Sequence, residues 1–251
     1  MIRRIPFAAL LLVLGALFAA ACGGDDSEPP ATATDLPETT TATAGSATAE
    51  APPGVAELRA AQYPDELTDG YFLGRIEAPL TLTVFEDFQC PFCLRYTLLV
   101  EPWLVEKYVK PGKLRIQFQN LVILGDDSAF AALGSQCAAH EDRFWEYHRE
   151  LFALQVESGQ LVDEKLNVGR FSEENLEKLA TAAGLDAAAF GTCLRSPENI
   201  AAVQEQLRTA AGFGLNSTPS FVINGEPLGY IPRDTKAWGE LLDARLAAAG
   251  G

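Results

Sequence analysis

Two cysteines spaced by two residues, Cys90-Pro91-Phe92-Cys93, sit between a strand-like and a helix-like segment, and that placement constrains the fold more than any other feature. Residues 80–85 (LTLTVF) alternate at first and are rich in β-branched side chains, which predicts a strand. Residues 86–89 make a short connection. Leu94, Leu98, Leu99, Trp103, Leu104 and Tyr108 then recur at helical spacing. Pro91 suits a first helical turn, where its missing N–H costs nothing, so Cys90 falls at or beside the N-cap. Pro102 predicts a kink within the helix. Pro111 and Gly112 end it, and residues 114–120 (LRIQFQN) alternate strictly, as a second strand does. Strand, helix and strand make a βαβ unit with a right-handed crossover.

Attack on a disulfide needs a thiolate. Unpaired N–H groups and the helix dipole stabilise negative charge at a helix N-terminus, so a cysteine there has a depressed pKa and is the better nucleophile and leaving group. Cys90 holds that position. Cys93, one turn further in, is expected to be more buried and to act as the resolving thiol. The competing reading of the pair is half of a zinc site, which needs two more ligands. Only His140 and His148 offer imidazoles, and no second pair of cysteines at this spacing exists. No organic cofactor site or metal site is expected.

The remaining cysteines are Cys22, Cys137 and Cys193. Arg3, Arg4 and the apolar run from Ala8 to Ala21, ending in small residues before Cys22, read as an export signal over residues 1–21. An uncleaved membrane anchor is the alternative. The small residues before Cys22 resemble a bacterial lipobox, with Ala19 where that motif usually has Leu, which implies lipidation of Cys22. Four cysteines then remain in an oxidising compartment, and the economical pairing is 90 with 93 and 137 with 193. A structural 137–193 bridge would close a loop of about 57 residues, for which chain entropy allows roughly 4 kcal/mol. Two buried free thiols are the alternative.

Residues 22–55 are mostly Gly, Asp, Ser, Glu, Pro, Thr and Ala and cannot bury enough surface to offset their ordering entropy. They read as a disordered tether; a coil of about 33 residues spans on the order of 30 Å. Residues 56–251 suffice for one domain with a helical insertion at about 128–195. The chain has 19 basic and 34 acidic residues, a formal net charge of −15, and loss of Arg3 and Arg4 would take it to about −17. Such a surface argues against nucleic acid and anionic lipid headgroups as partners.

Beyond residue 128 the patterns are almost entirely helical. Phe130, Leu133, Cys137, Phe144, Trp145, Tyr147, His148, Leu151 and Phe152 supply apolar faces between 129 and 154. Ser172, Asp186 and Ser196 look like N-caps, and Ile200, Val203 and Leu207 follow the last of them. Residues 220–223 and 226–229 flank Asn224-Gly225, a hairpin signal, and a helix over 235–249 closes the chain.

Three motifs in this order carry a resemblance. Residues 86–93 (EDFQCPFC) are similar to the active-site segment of DsbA-like thiol–disulfide oxidoreductases of the thioredoxin superfamily. Residues 144–148 (FWEYH) are similar to the aromatic helix of their insert, and Thr218-Pro219 before residues 220–225 to their cis-proline loop. The resemblance runs from about Tyr71 to Ala249. It implies an α/β thioredoxin-like fold with a helical insertion, a cis Thr218–Pro219 bond beside Cys90, and a loop that pairs with a bound substrate strand. The pair Cys137 and Cys193 resembles a subgroup with a second disulfide in the insert. Two departures stand out. The family often has a buried acid six residues before the first cysteine, where this chain has Val84; Glu86, on the same strand face by alternation, is the candidate proton relay. Oxidising members often carry His between the cysteines, where Phe92 stands, so a less extreme Cys90 pKa and a milder oxidant are expected. Glu86 and Asp87 read equally well as a solvated strand end.

The leading functional reading is an exported dithiol oxidase, acting on unfolded or folding exported proteins with cysteines. A membrane quinone-linked partner of the DsbB or vitamin K epoxide reductase type would reoxidise it, and lipid at Cys22 would hold it to the cell membrane. A disulfide reductase or isomerase on the same scaffold, and a non-catalytic peptide-binding module, are the alternatives.

Overall fold

The two alternating segments become the centre of a sheet. In the computed structural model, which describes residues 54–61 and 63–250, helix α1 (Val55–Ala60) and a 3₁₀ turn (Asp65–Leu67) precede two short strands, β1 (Thr68–Asp69) and β2 (Phe72–Leu73). Then come β3 (Leu80–Glu86), α2 (Pro91–Leu99), α3 (Glu101–Leu104), a π turn (Val105–Val109) and β4 (Leu114–Asn120). A run of helices follows: α4 (Asp126–His140), α5 (Phe144–Glu157), α6 (Glu173–Ala182), α7 (Ala187–Leu194) and α8 (Pro197–Gly212). Strands β5 (Ser220–Ile223) and β6 (Glu226–Pro227) and helix α9 (Thr235–Ala248) complete it. The export signal, Cys22 and nearly all of the tether lie outside the described residues. Among the described residues no helix is long and apolar enough to cross a membrane.

The sheet order is β1-β2-β4-β3-β5-β6. Strands β3 and β4 are parallel, from Leu80 opposite Leu114 to Glu86 opposite Asn120, so α2 and α3 form the crossover between them. Strand β5 runs antiparallel to β3, with Phe85 opposite Ser220 and Leu82 opposite Ile223. This register brings the chain entering β5 alongside the end of β3, where the chain turns into α2. The alternation of β3 lapses at its end: Val84, Phe85 and Glu86 are all buried. Phe85 packs with Leu121, Ala210, Val222 and Phe213 on one face, while Val84 joins the main core on the other, so helices cover both faces of the strand.

Three expectations are corrected. The helix expected to kink at Pro102 breaks earlier, at Val100 (φ −110°, ψ −49°), and restarts with Glu101 and Pro102 in a new first turn, where a residue without N–H is tolerated. Phe130, assigned to an apolar face, and Ile200, read as following the Ser196 cap, are exposed. Helix α8 turns Asn199, Val203, Gln206 and Ala210 inward instead, and the two amide nitrogens donate to Leu133 O and Gln136 Oε1. The second hairpin strand stops at Pro227, which has no N–H to extend the ladder. Its turn has Asn224 and Gly225 both left-handed (φ 47° and 83°), and the Asn224 side chain accepts from Thr81 N at 2.7 Å. Strands β1 and β2 went unforeseen, since two-residue strands leave no periodicity to read.

A disulfide joins Cys137 on α4 to Cys193 on α7, with the Cα atoms 5.9 Å apart. Phe190 of α7 also packs against Tyr147 of α5, their rings 5.3 Å apart.

Candidate active site

The connection between β3 and α2 is anchored rather than solvated. Asp87 is buried, and its carboxylate accepts from Gln89 N (2.8 Å), Ser128 Oγ (2.6 Å), Ile123 N (2.9 Å) and Leu124 N (3.0 Å). Its carbonyl accepts from Cys90 N at 2.9 Å. Gln89, also buried, accepts from Asn167 N at 2.7 Å, while its carbonyl accepts from Gln160 Nε2 at 3.0 Å. The reading of Glu86 and Asp87 as a solvated strand end is therefore overturned: both are buried, because the segments 121–128 and 160–167 close over the strand end.

Cys90 is the N-cap of α2 (φ −74°, ψ 120°) and Pro91 its first residue. The two sulfurs are not bonded to each other. Cys90 keeps a 4% edge to solvent, whereas Cys93 is fully enclosed. The Cys90 thiol lies 3.3 Å from the carbonyl of Thr218, and the Thr218–Pro219 bond is cis. The Cys90 pKa is drawn down to about 6, first by the Cys93 thiol donating to its sulfur, then by Thr218 and the backbone N–H groups of Cys93 and Phe92, against the opposing effect of burial. Burial pushes Cys93 the other way, well above the usual thiol range, with Cys90 and Glu86 adding to the rise. One thiol is thus poised as an anion and the other held neutral.

Phe92 is 59% exposed, with the Arg95 guanidinium 5.4 Å from its ring centre. It borders a groove of about 430 Å³ whose walls include Leu99, Val100, Pro219, Ile231 and Trp238. Its lining includes Phe92, between the two cysteines in sequence, and Pro219 of the cis bond.

Glu86, 1% exposed, lies under the pair with one carboxyl oxygen 3.3 Å from His148 Nε2. Burial raises Glu86 well above the carboxylate range and holds His148 down to about 3, so the contact joins a neutral acid, which donates, to a neutral imidazole nitrogen, which accepts the hydrogen bond. His148 is enclosed by Phe88, Phe118, Phe144, Trp145 and Phe152, with ring separations of 4.8 to 5.8 Å. His140 stands apart on α4, 2.8 Å from Gln136.

Residues 66–244 match a family model described as Thioredoxin. The chain belongs to the thioredoxin family. Its thioredoxin relatives include a probable disulfide bond formation protein D of Bacillus anthracis, 28% identical over 156 residues, which are 61% of this chain and 69% of the relative. The disulfide bond formation protein D of Bacillus subtilis is 32% identical over 90 residues, 35% of this chain and 40% of the relative. Among solved structures, oxidised BdbD of Bacillus subtilis superposes with a TM-score of 0.62 at 22% identity, over 74% of this chain and 96% of that one. Within the thioredoxin family this chain is a DsbA-like protein disulfide oxidoreductase.

The chain departs from the common thioredoxin pattern within the core. Val84, six residues before Cys90, is buried and apolar, and the acid beneath the cysteines comes from Glu86, two residues on along the same strand. A second buried acid, Glu101 at the start of α3, escaped sequence reading; so did Asp87 and Gln89 as anchors. An acid in a first helical turn usually faces water, so nothing local marks Glu101 as buried.

Proposed function

We propose that this enzyme acts outside the cytoplasm as a dithiol oxidase, with Cys90 as the attacked and attacking sulfur and Cys93 as its partner. In the oxidised form a client thiolate attacks Cys90 Sγ; the Cys90–Cys93 bond breaks and Cys93 leaves as a thiolate that takes up a proton. The client's second thiolate then attacks its own sulfur in the mixed disulfide, and Cys90 leaves as the anion. The client gains a disulfide and the enzyme holds two electrons as a dithiol. A membrane quinone-linked protein of the DsbB or vitamin K epoxide reductase type would accept them.

The observation that carries this reading is the placement of Cys90 as the N-cap of α2, beside the enclosed Cys93 and the cis Thr218–Pro219 bond, which holds its thiol below the ordinary range. A stabilised thiolate favours the reduced enzyme, so its disulfide is readily given away. The groove beside Phe92 suits an extended, partly apolar client segment, with the backbone before β5 as its pairing edge. Phe92 and Pro91 set the reach of the sulfur, and Glu86 serves as the proton relay to Cys93. The Cys137–Cys193 bridge is read as structural. Cleavage after residue 21 with lipid on Cys22, and a tether over 22–55, would hold the domain outside the cell membrane.

A reductase or isomerase is the second reading, favoured by Phe92, which gives the thiolate no cation between the cysteines. One equilibration with glutathione separates the two. An oxidase is expected to lie well above the roughly −270 mV of thioredoxin, and a value near that figure would favour the reductase. In parallel, a Cys90→Ser protein that still oxidised a reduced dicysteine peptide would remove Cys90 from the chemistry altogether.

A further inference from the structure

Surface arginines of this acidic chain are mostly taken up by carboxylates: Arg59, Arg143, Arg195 and Arg208 each form an ion pair. Arg95 and Arg233 are also exposed, yet form none among the described residues. Both line the groove beside Phe92, Arg95 from α2 and Arg233 from the segment that leads into α9. The Arg95 guanidinium lies 5.4 Å from the Phe92 ring centre, a contact that leaves its charge unneutralised. Asp234 is the one acid in the lining, and one of its oxygens accepts from Ala237 N at 2.8 Å as the cap of α9. Lys236, just beyond, is paired with Glu240. The rest of the lining is largely apolar, and Phe92, Leu99 and Ile231 are exposed to solvent. The groove thus offers apolar surface together with two uncommitted cations, on a chain whose formal net charge is −15.

We propose that Arg95 and Arg233 make the groove select client segments that carry an acidic residue next to an apolar one, within two or three residues of the reacting cysteine. The proposal rests on the client exchange at Cys90 described above and adds to it the kind of segment that is taken first. The spacing follows from α2 itself. Arg95 lies on the same unbroken helix that Cys90 caps, about 7.5 Å further along its axis. An extended segment advances about 3.3 Å per residue. A carboxylate two or three residues from a client cysteine held at Cys90 Sγ therefore comes within reach of the Arg95 guanidinium, whose planar fork takes a carboxylate by two hydrogen bonds. The apolar neighbour of that acid covers exposed surface at Leu99 and Ile231. The acidity of the whole chain does not cancel this attraction. Charges are screened over about 8 Å at physiological ionic strength, so a carboxylate in the groove responds to the arginines lining it more than to acids elsewhere on the surface. Charge contacts at an exposed rim act mainly on encounter rate and on discrimination between partners, which is where competing clients are sorted.

The test is single-turnover oxidation of reduced dicysteine peptides by the disulfide form of the protein near neutral pH. The peptides are identical except for Glu, Gln or Lys, set beside a Leu and two residues from the first cysteine, on either side of it. At physiological ionic strength the second-order rate is expected to fall in the order Glu, Gln, Lys, with Glu severalfold above Gln and roughly tenfold above Lys. The spread should shrink in about 1 M salt. Arg95→Glu combined with Arg233→Glu should invert the order. Because the order is read within each protein, a variant with slower chemistry does not mimic the result. The Cys90 thiolate titration, followed by ultraviolet absorbance, should stay in place, since neither arginine is among the groups that act on that sulfur. If the double reversal fails to fold, Arg95→Gln and Arg233→Gln should each compress the Glu-to-Lys spread. Equal rates for the three peptides, a lead for Lys, or a Glu lead that survives the reversal would overturn the selection and leave the exchange reading standing. A dimer seen by light scattering and lost on the double reversal would overturn it too, by giving the groove to a second copy of the chain. Failure of the exchange reading shows differently, as no oxidation of any of the three peptides.

Discussion

Cys90 owes its acidity to neighbours on three sides: the Cys93 thiol, Thr218, and the first N–H groups of α2. Its folded pKa of about 6 lies below the ordinary thiol value of 9.0. The thiolate therefore stabilises the reduced native state fully above pH 9, and this stabilisation is lost as pH falls through 6. Alkylation of the reduced protein by iodoacetamide is expected to be half-maximal near pH 6 and confined to Cys90. In urea, reduced wild type should exceed Cys90→Ser by about 2–3 kcal/mol at pH 8, with the advantage nearly gone by pH 5. A half-maximum near pH 8.5 would mean that the helix start and Cys93 do not act on this sulfur. Cys90 was legible as the candidate nucleophile because cysteine spacing and a helix-start proline are local signals. Asp87 was not: a carboxylate with four donors from residues 89, 123, 124 and 128 looks like any polar strand end until those donors arrive.

Most long elements announced themselves. Strict alternation marked β4, and the caps at Ser172, Asp186 and Ser196 each accept a hydrogen bond from the backbone three residues on. What escaped were pieces too short for a period, β1 and β2, and the break between α2 and α3, where steric demands of Pro102 are met by restarting the helix rather than bending it. The disulfide between α4 and α7 belongs to this scale. It spans 56 residues of sequence, and opening it through Cys137→Ala with Cys193→Ala is expected to cost about 2–4 kcal/mol of stability. The urea midpoint should fall while the Cys90 thiolate titration stays in place, since neither cysteine contributes to that sulfur's environment. An unchanged midpoint would mean that packing alone holds the two helices.

The site draws on segments distant in sequence. Its strand end is tied by Asp87 to Ser128 of α4 and by Gln89 to the 160–167 segment, while Thr218 comes from the far side of the helical run. Sheet and helical insert therefore share the anchors that shape the cysteine loop, and they are expected to unfold together. Urea transitions followed by far-UV circular dichroism and by tryptophan fluorescence should coincide, with Trp145 reporting on α5 and Trp238 on α9. Separate transitions, with the helices melting first, would show that the loop anchors do not couple the two regions.

By itself the sequence determined the βαβ core, the helical run, the hairpin turn and the cysteine pair at a helix start, because alternation, capping and turn chemistry act over a few neighbouring residues. Only the tertiary structure decided that residues 86, 87, 89 and 101 would be buried, and that a carbonyl 128 positions away would rest on Cys90. Desolvation and cross-chain contact arise when distant segments pack, and no pattern confined to one segment encodes them.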